Sequence, residues 1–260
     1  MSQLPDLGQA TIDAVIAHAS GATLPFQRAN HPGPYATAFW FNDLVAKDGD
    51  EETVRQYLVT AAEQTRMDLA EVTIRPELCD PAPSAEKLLL TSFAEGWTHL
   101  DGLGVALMPT GGLHAYADRK GWRWRTDEIT DGIAARAEDI ARITAEPVTA
   151  FALAHDVGAE GERDQAVVVG ALARATDGTI RWSTELPQGC VGAPVFLGLR
   201  LEGDSFKLVC AGLVLPPDDH GFGHHPVATF DHIRTALTTA TVADGAPATP
   251  RERRRWWRRS

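Results

Sequence analysis

A chain of 260 residues with 44% hydrophobic and 23% charged residues has the composition of an ordinary globular protein, which excludes extended disorder, collagen-like repeats and coiled coil as the main architecture. No apolar run approaches the roughly eighteen residues of a membrane-spanning helix. The net charge of -11 hides an asymmetry: the last ten residues, RERRRWWRRS, hold six basic residues and one acidic one, so residues 1–250 carry 18 basic against 34 acidic, or -16. Such a body repels polyphosphate, which disfavours nucleic-acid binding by the body and leaves any attraction to anionic surfaces to the tail.

The first twenty residues, MSQLPDLGQATIDAVIAHAS, lack a basic leader followed by an apolar stretch. Cys79, Cys190 and Cys210 have neither the pairing of a disulfide framework nor the spacing of a zinc knuckle. A cytoplasmic, reducing setting is expected.

In chain order, Ile12, Val15 and Ile16 space a short amphipathic helix over 9–19, with Gly21 near its stop. After the turn NHPGPY, short strand-like runs follow at 35–41 (YATAFWF), 55–62, 71–76, 87–93 (KLLLTSF) and 102–109 (GLGVALMP), each bounded by charged residues, Gly or Pro. A polar, Trp-bearing connector then leads into a predicted helix at about 128–143. Within it, KGWRWR alternates tryptophan with Arg123 and Arg125, as an edge strand with its stems packed flat on the surface, or a contact patch, would. The second half repeats the strand style at 147–153, 165–173, 179–184, 192–200 and 206–215. A terminal amphipathic helix follows, with Phe230, Ile233 and Leu237 on one face, and then the linker-like TVADGAPATP.

Many short strands in two clusters give an all-β expectation of two barrels. The divisions are an N-terminal helical extension (1–30), a first barrel lobe (31–120), a connector with its helix (121–146), a second lobe with closing helix (147–240), and a linker with basic tail (241–260). Period-two alternation assigns Phe39, Phe41, Leu58, Val72, Leu89, Val105 and Leu107 to the first interior. It assigns Phe151, Val167, Val169, Val195, Leu208 and Val214 to the second.

The order of AFWF, YLVTAAEQ, LGVALMP, QGCVGAPVFLG and KLVCAGLVL resembles a bacterial trypsin-like (chymotrypsin-fold) serine protease domain over residues 35–240. In that family the catalytic histidine ends a V-T-A-A-H segment, the aspartate opens a D-[V/L/I]-A-[L/V] strand, and the serine lies in Q-G-D-S-G-G-P-V. The resemblance implies two six-stranded antiparallel β-barrels with short N-terminal, inter-lobe and C-terminal helices. It also implies an inter-lobe cleft for an extended peptide or partner protein, and no cofactor.

The same match removes the triad, because its positions fall on Glu63, Gly104 and Val191. Valine offers no nucleophile, glycine no carboxylate and glutamate no imidazole. The resemblance therefore implies a pseudoprotease. Its oxyanion hole would be formed by the backbone N–H groups of Gly189 and Val191, able to bind an oxygen without reacting with it. The opposing reading has the β-branched Val191 collapse that turn.

Other residues invite chemistry. Cys190 precedes the serine position and is the candidate for a displaced thiol nucleophile in an active hydrolase, although it lacks a base at the family position and free cysteines are commonly buried. His99 and Asp101 are possible replacements near the aspartate position, or a polar turn before a strand. Glu63 is either a working carboxylate at the cleft or a solvated residue. Asp218, Asp219, His220, His224 and His225 form a zinc-like donor set. Their Pro- and Gly-bearing context reads as a ligand-recognition loop, with no metal assigned. Arg253, Arg254, Arg255, Trp256, Trp257, Arg258 and Arg259 combine phosphate attraction with interfacial tryptophan, which fits an anionic lipid or nucleic acid, or a tether for the whole scaffold. The alternatives are a disordered solubilising end and docking of this tail on the acidic body.

Overall fold

The computed structural model describes residues 6–31, 35–49, 51–84, 86–157, 163–187, 189–202, 205–218, 225–239 and 249–252. Helix α1 (Leu7–Ala19) starts where the Asp6 carboxylate accepts a hydrogen bond from Gly8 N, and it buries Thr11, Val15 and Ala19 at i, i+4 and i+8. Ile16, expected on the packed face, is 52% exposed, because the buried stripe runs one position away from it.

Strands β1 (Thr23–Arg28), β2 (Ala36–Asp48), β3 (Glu51–Ala61) and β4 (Leu69–Thr73) come first, followed by β5 (Cys79–Asp80), β6 (Lys87–Thr91), β7 (Thr98–Leu100) and β8 (Val105–Pro109). They form a curled sheet ordered β6-β4-β1-β2-β3-β8-β7, with β5 outside it. Residues 23–28, read as part of the N-terminal extension, instead form β1, hydrogen-bonded between β2 and β4. TLPFQR hides this role because its proline breaks the strand pattern.

Helix α2 (Gly111–Arg119) occupies the stretch expected to be a connector, and β9 (Arg123–Trp124) pairs with β5. Trp122 and Trp124 are buried in the first-lobe core and do not lie flat on the surface, while Arg123 and Arg125 reach out to Asp80. The predicted helix at 128–143 shrinks to α3 (Ala137–Ile140), because β10 (Ile129–Thr130) is taken up as a parallel neighbour of β2.

The second lobe comprises β11 (Val148–Val157), β12 (Arg163–Arg174), β13 (Ile180–Trp182), β14 (Pro194–Arg200), β15 (Phe206–Val214) and β16 (His225–Thr229). These close into a six-stranded barrel, β11-β12-β13-β16-β15-β14. Helix α4 (Phe230–Thr239) packs Phe230 and Ile233 into the core with Leu237 partly buried beside them, as its spacing predicts. Beyond it, β17 (Thr249–Glu252) lines up antiparallel with the outer end of β3. The architecture is thus the expected double-barrel one, with the first lobe curled and the second closed.

Alternation along β2, β3 and β8 is buried on both faces. Ala38, Trp40, Leu58 and Ala106 belong to a core made of first-lobe residues, α2 and β9. Phe39, Phe41, Tyr57, Val59, Val105 and Leu107 belong instead to a core shared with Phe151, Val195, Val214 and Phe230. Four residues assigned to the first barrel interior, Phe39, Phe41, Val105 and Leu107, therefore hold the two lobes together. Two others are corrected outright: Leu89 is 56% and Val169 is 55% exposed. In β6 it is Leu88 that faces inward, while Val167 and Val168 of β12 and Leu208 of β15 are partly buried against the shared core.

A polar seam also joins the lobes. Gln165 Nε2 donates to Thr23 Oγ1 (2.7 Å), Thr23 Oγ1 lies 3.0 Å from His155 Nε2, and His155 Nδ1 lies 3.4 Å from the Arg163 carbonyl. The chain of donors closes with a neutral ring: Nδ1–H donates to Arg163 O, and Nε2 accepts from the Thr23 hydroxyl. Arg163 continues the seam to Glu71 at 3.3 Å and lies over the Tyr35 ring. Burial, followed by the Arg75 charge, lowers the His155 pKa from 6.5 to about 3.

The unfolded chain therefore takes up a proton near pH 6.5 that the native state refuses, so stability present above that pH is lost as pH falls toward 3. Each pH unit in that window removes up to about 1.4 kcal/mol, or about 3 °C or more of melting temperature. Glu71 and Asp139, held below their ordinary ranges by hydrogen bonds and lysine or arginine partners, add to the loss only at lower pH. Thermal melts between pH 7 and 5 are expected to show this slope, and His155→Gln is expected to flatten it.

Candidate functional site

Three segments meet where the lobes join. The first is the end of β3, which passes into a single 3₁₀ turn, Ala62–Thr65, carrying Glu63. Thr65 Oγ1 closes this turn by donating to the Ala62 carbonyl (2.8 Å), and its oxygen lies 2.9 Å from His99 Nε2. Because the Thr65 proton is committed to Ala62, the His99 nitrogen is the donor in that contact. His99 thus braces β7 against the turn, and Glu63 and Asp101 are exposed.

The second segment is the glycine-bearing loop before β8. The Gly104 carbonyl accepts from Ala62 N at 2.8 Å, one residue before Glu63. Gly104 has φ +67, and a Cβ there would lie 3.3 Å from Leu215 of the second lobe. A side chain at this position would meet both left-handed strain and that leucine.

The third is the turn that precedes β14. Gly189 and Gly192 have φ of +96 and +87, whereas Val191 is not among the residues with positive φ. The left-handed conformations thus fall on glycines, and the β-branched residue sits where it suffers no such strain. The turn is anchored to the first lobe: Thr37 N donates to Val191 O (2.9 Å) and Thr37 Oγ1 to Gly189 O (2.7 Å). Gly192 N donates to Val214 O at 2.8 Å, and a Cβ on Gly192 would come within 2.2 Å of Thr37 O and 2.3 Å of Thr60 Oγ1.

Glu63, Gly104 and Val191 are therefore brought to one place through their immediate neighbours. Among the described residues, the amides of Gly189 and Val191 donate to no acceptor, while the Cys190 amide between them turns back to Pro187 O. Two backbone N–H groups of this turn are thus left without an acceptor among the described residues. Thr37 and Thr60, which no motif marked, hold this geometry; each is buried and spends its hydroxyl proton on a backbone carbonyl. Their only sequence signal is a threonine within an apolar strand.

Cys190 is 1% exposed and packs with Ala154 and Ala193, with Val168 and Leu186 alongside. Cys79 and Cys210 are buried too, and burial raises the Cys79 pKa to about 11 and pushes Cys210 up further. Asp218 is occupied by a two-pronged contact with Arg181 (2.9 and 2.8 Å), and His225 lies in β16 with Nδ1 2.8 Å from Leu215 O. The Asp/His tract is thus divided between an ion pair and a strand, and no group able to hold a metal occurs among the described residues. Asp219, His220, His224 and the tail from Arg253 to Arg259 lie outside the described residues. No helix among those described is long and apolar enough to cross a membrane.

No protein-family model matches this sequence, and no curated protein matches it. Solved structures do match in shape. The HtrA-type protease AlgW with tripeptide has a TM-score of 0.50 and 13% identity, over 93% of this chain and 65% of its own. The serine endoprotease from Yersinia pestis gives 0.46 and 11%, over 92% and 65%. Catalytically inactive tobacco etch virus protease complexed with substrate gives 0.49 and 8%, over 86% and 85%. This chain thus spans about two thirds of the first two proteins. At these identities the likeness concerns fold: the protein has the double-barrel, chymotrypsin-like fold of the trypsin-like and HtrA proteases.

Two outcomes follow from the turn. Gly192→Ala is expected to cost about 3 kcal/mol, read as a shift of the urea midpoint, because its Cβ meets backbone and a buried hydroxyl. Thiol alkylation of the folded protein is expected to be slow at all three cysteines and complete only in denaturant; for Cys79 the thiolate fraction alone falls about a hundredfold.

Proposed function

We propose that this protein is a trypsin-like protease homologue that binds an extended peptide in its inter-lobe cleft and does not cleave it. One observation carries the reading: the turn bearing Val191 keeps two disengaged amides, Gly189 and Val191, while the side chain at the serine position has no nucleophilic atom. A carbonyl oxygen of the ligand is held as an oxyanion would be, and no acyl transfer follows.

The neighbouring residues support this. Gly104 leaves no carboxylate to orient an imidazole, and Glu63 supplies no imidazole. The hydroxyls of Thr37, Thr60 and Thr65 are committed to backbone carbonyls, and the burial of Cys190 speaks against a displaced thiol. AlgW, a structure solved with a tripeptide, shares this fold over 65% of its own chain, and strand addition between lobes is a general way to bind extended chains. The reading includes a reducing, cytoplasmic setting, in which the buried cysteines remain thiols.

The test is a diverse peptide library incubated with the purified protein and read by mass spectrometry for both cleavage and retention. Retention without cleavage is expected, and Gly189→Ala, which strains the turn at φ +96, is expected to weaken retention by about tenfold, the equivalent of about 1.4 kcal/mol. Specific cuts that disappear in Cys190→Ala would overturn the reading.

A further inference from the structure

The two amides of the Val191 turn satisfy a neutral carbonyl but do not choose between peptide sequences. Glu63, on the 3₁₀ turn that follows the strand end packed on the Val191 turn, carries a charge that can choose. It is exposed, and its carboxylate has no hydrogen bond or ion pair among the described residues. Its position is fixed from both sides. A Cβ on Gly192 would lie 3.3 Å from Ala61 N, and Ala62 N is tied to Gly104 O at 2.8 Å, so Glu63 begins only two residues beyond the atoms that pack on the turn. A 3₁₀ turn rises about 2 Å per residue and an extended peptide about 3.3 Å. Two residues of such a turn, about 4 Å, are well within the length of a lysine or arginine side chain carried one or two residues from the seated carbonyl.

Resting on the peptide-binding reading, we propose that Glu63 sets specificity in the cleft, selecting extended peptides that carry a lysine or arginine next to the carbonyl seated on the Gly189 and Val191 amides. The residue at the former histidine position acts as a fixed anion that reads the ligand's charge. Two further exposed carboxylates have the same sign: Asp101, on the loop that ends at Gly104, and Glu185, in the segment ahead of the turn. Arg66 is the opposing charge. It is exposed at the end of the same 3₁₀ turn, where its amide donates to the Glu63 carbonyl, and no ion pair between its guanidinium and the Glu63 carboxylate occurs among the described residues. The net charge of -16 on residues 1–250 favours the same ligands at long range, without positional preference.

The full-length protein is titrated by fluorescence anisotropy with labelled octapeptides identical except for one central residue, Lys, Arg, Gln or Glu. Lys and Arg peptides are expected to bind about threefold tighter than the Gln peptide, as an exposed ion pair allows, and the Glu peptide more weakly. Glu63→Gln is expected to bring the Lys-to-Gln ratio to about one, and Glu63→Lys to invert it. Because Glu63 is exposed, both variants should melt close to the parent. A Lys-to-Gln ratio near one in the parent, or a ratio that survives Glu63→Gln, would overturn this inference and leave peptide binding standing. No binding by any of the four peptides would overturn peptide binding itself, and this inference with it.

Discussion

The structure depends on one sheet that is buried on both faces. Along β2, β3 and β8, alternate residues enter different cores: Trp40, Leu58 and Ala106 point into the first lobe, and Phe39, Phe41, Tyr57, Val59 and Leu107 into a core shared with the second. Parallel or antiparallel, a strand without a wet face reads as continuous apolar sequence, which is what AFWF and YLV display. The shared core fixes the closed barrel against the curled sheet, with the rings of Phe39 and Phe41 packed on Phe230 of the closing helix. Everything at the lobe junction inherits its position from this contact.

The candidate site is a local consequence. The end of β3 delivers Thr60 and Ala61 to the turn before β14, while the start of β2 delivers Thr37. Three glycines absorb the left-handed φ values that the loops need, which frees Val191 to occupy an ordinary conformation. The turn therefore keeps its shape through backbone contacts that do not involve the side chain at position 191. The conformation of this turn therefore does not depend on which side chain stands at position 191.

Away from the site, charge is handled in two ways. Where the lobes meet at His155, burial keeps the ring neutral and a short relay through Thr23 and Gln165 satisfies it. At the surface, carboxylates are left in excess, and the few deeply placed ones are paired: Glu71 with Lys87 and Arg163, Asp139 with Lys207, and Asp131 with Arg234 and Arg136. The acidic excess is thus carried mainly at the surface.

Much of the fold was legible in the sequence. Period-two runs located most long strands, 3.6-residue spacing located the closing helix, and the glycines of QGCVGAP marked a turn able to present backbone amides. The residue types at 63, 104 and 191 were legible as well, since the absence of imidazole, carboxylate and nucleophile needs no structure to be seen. Only the tertiary structure decided which core each face of β2 and β8 would enter, that Thr23–Arg28 would join the sheet despite its proline, and that most of 128–143 would not be helix. It also decided that Leu88 and not Leu89 turns inward, and that Thr37 and Thr60 support the turn. The physical reason is common to all of these: alternation separates two faces of a strand but does not label them, and the partners that do so lie twenty to more than a hundred residues away.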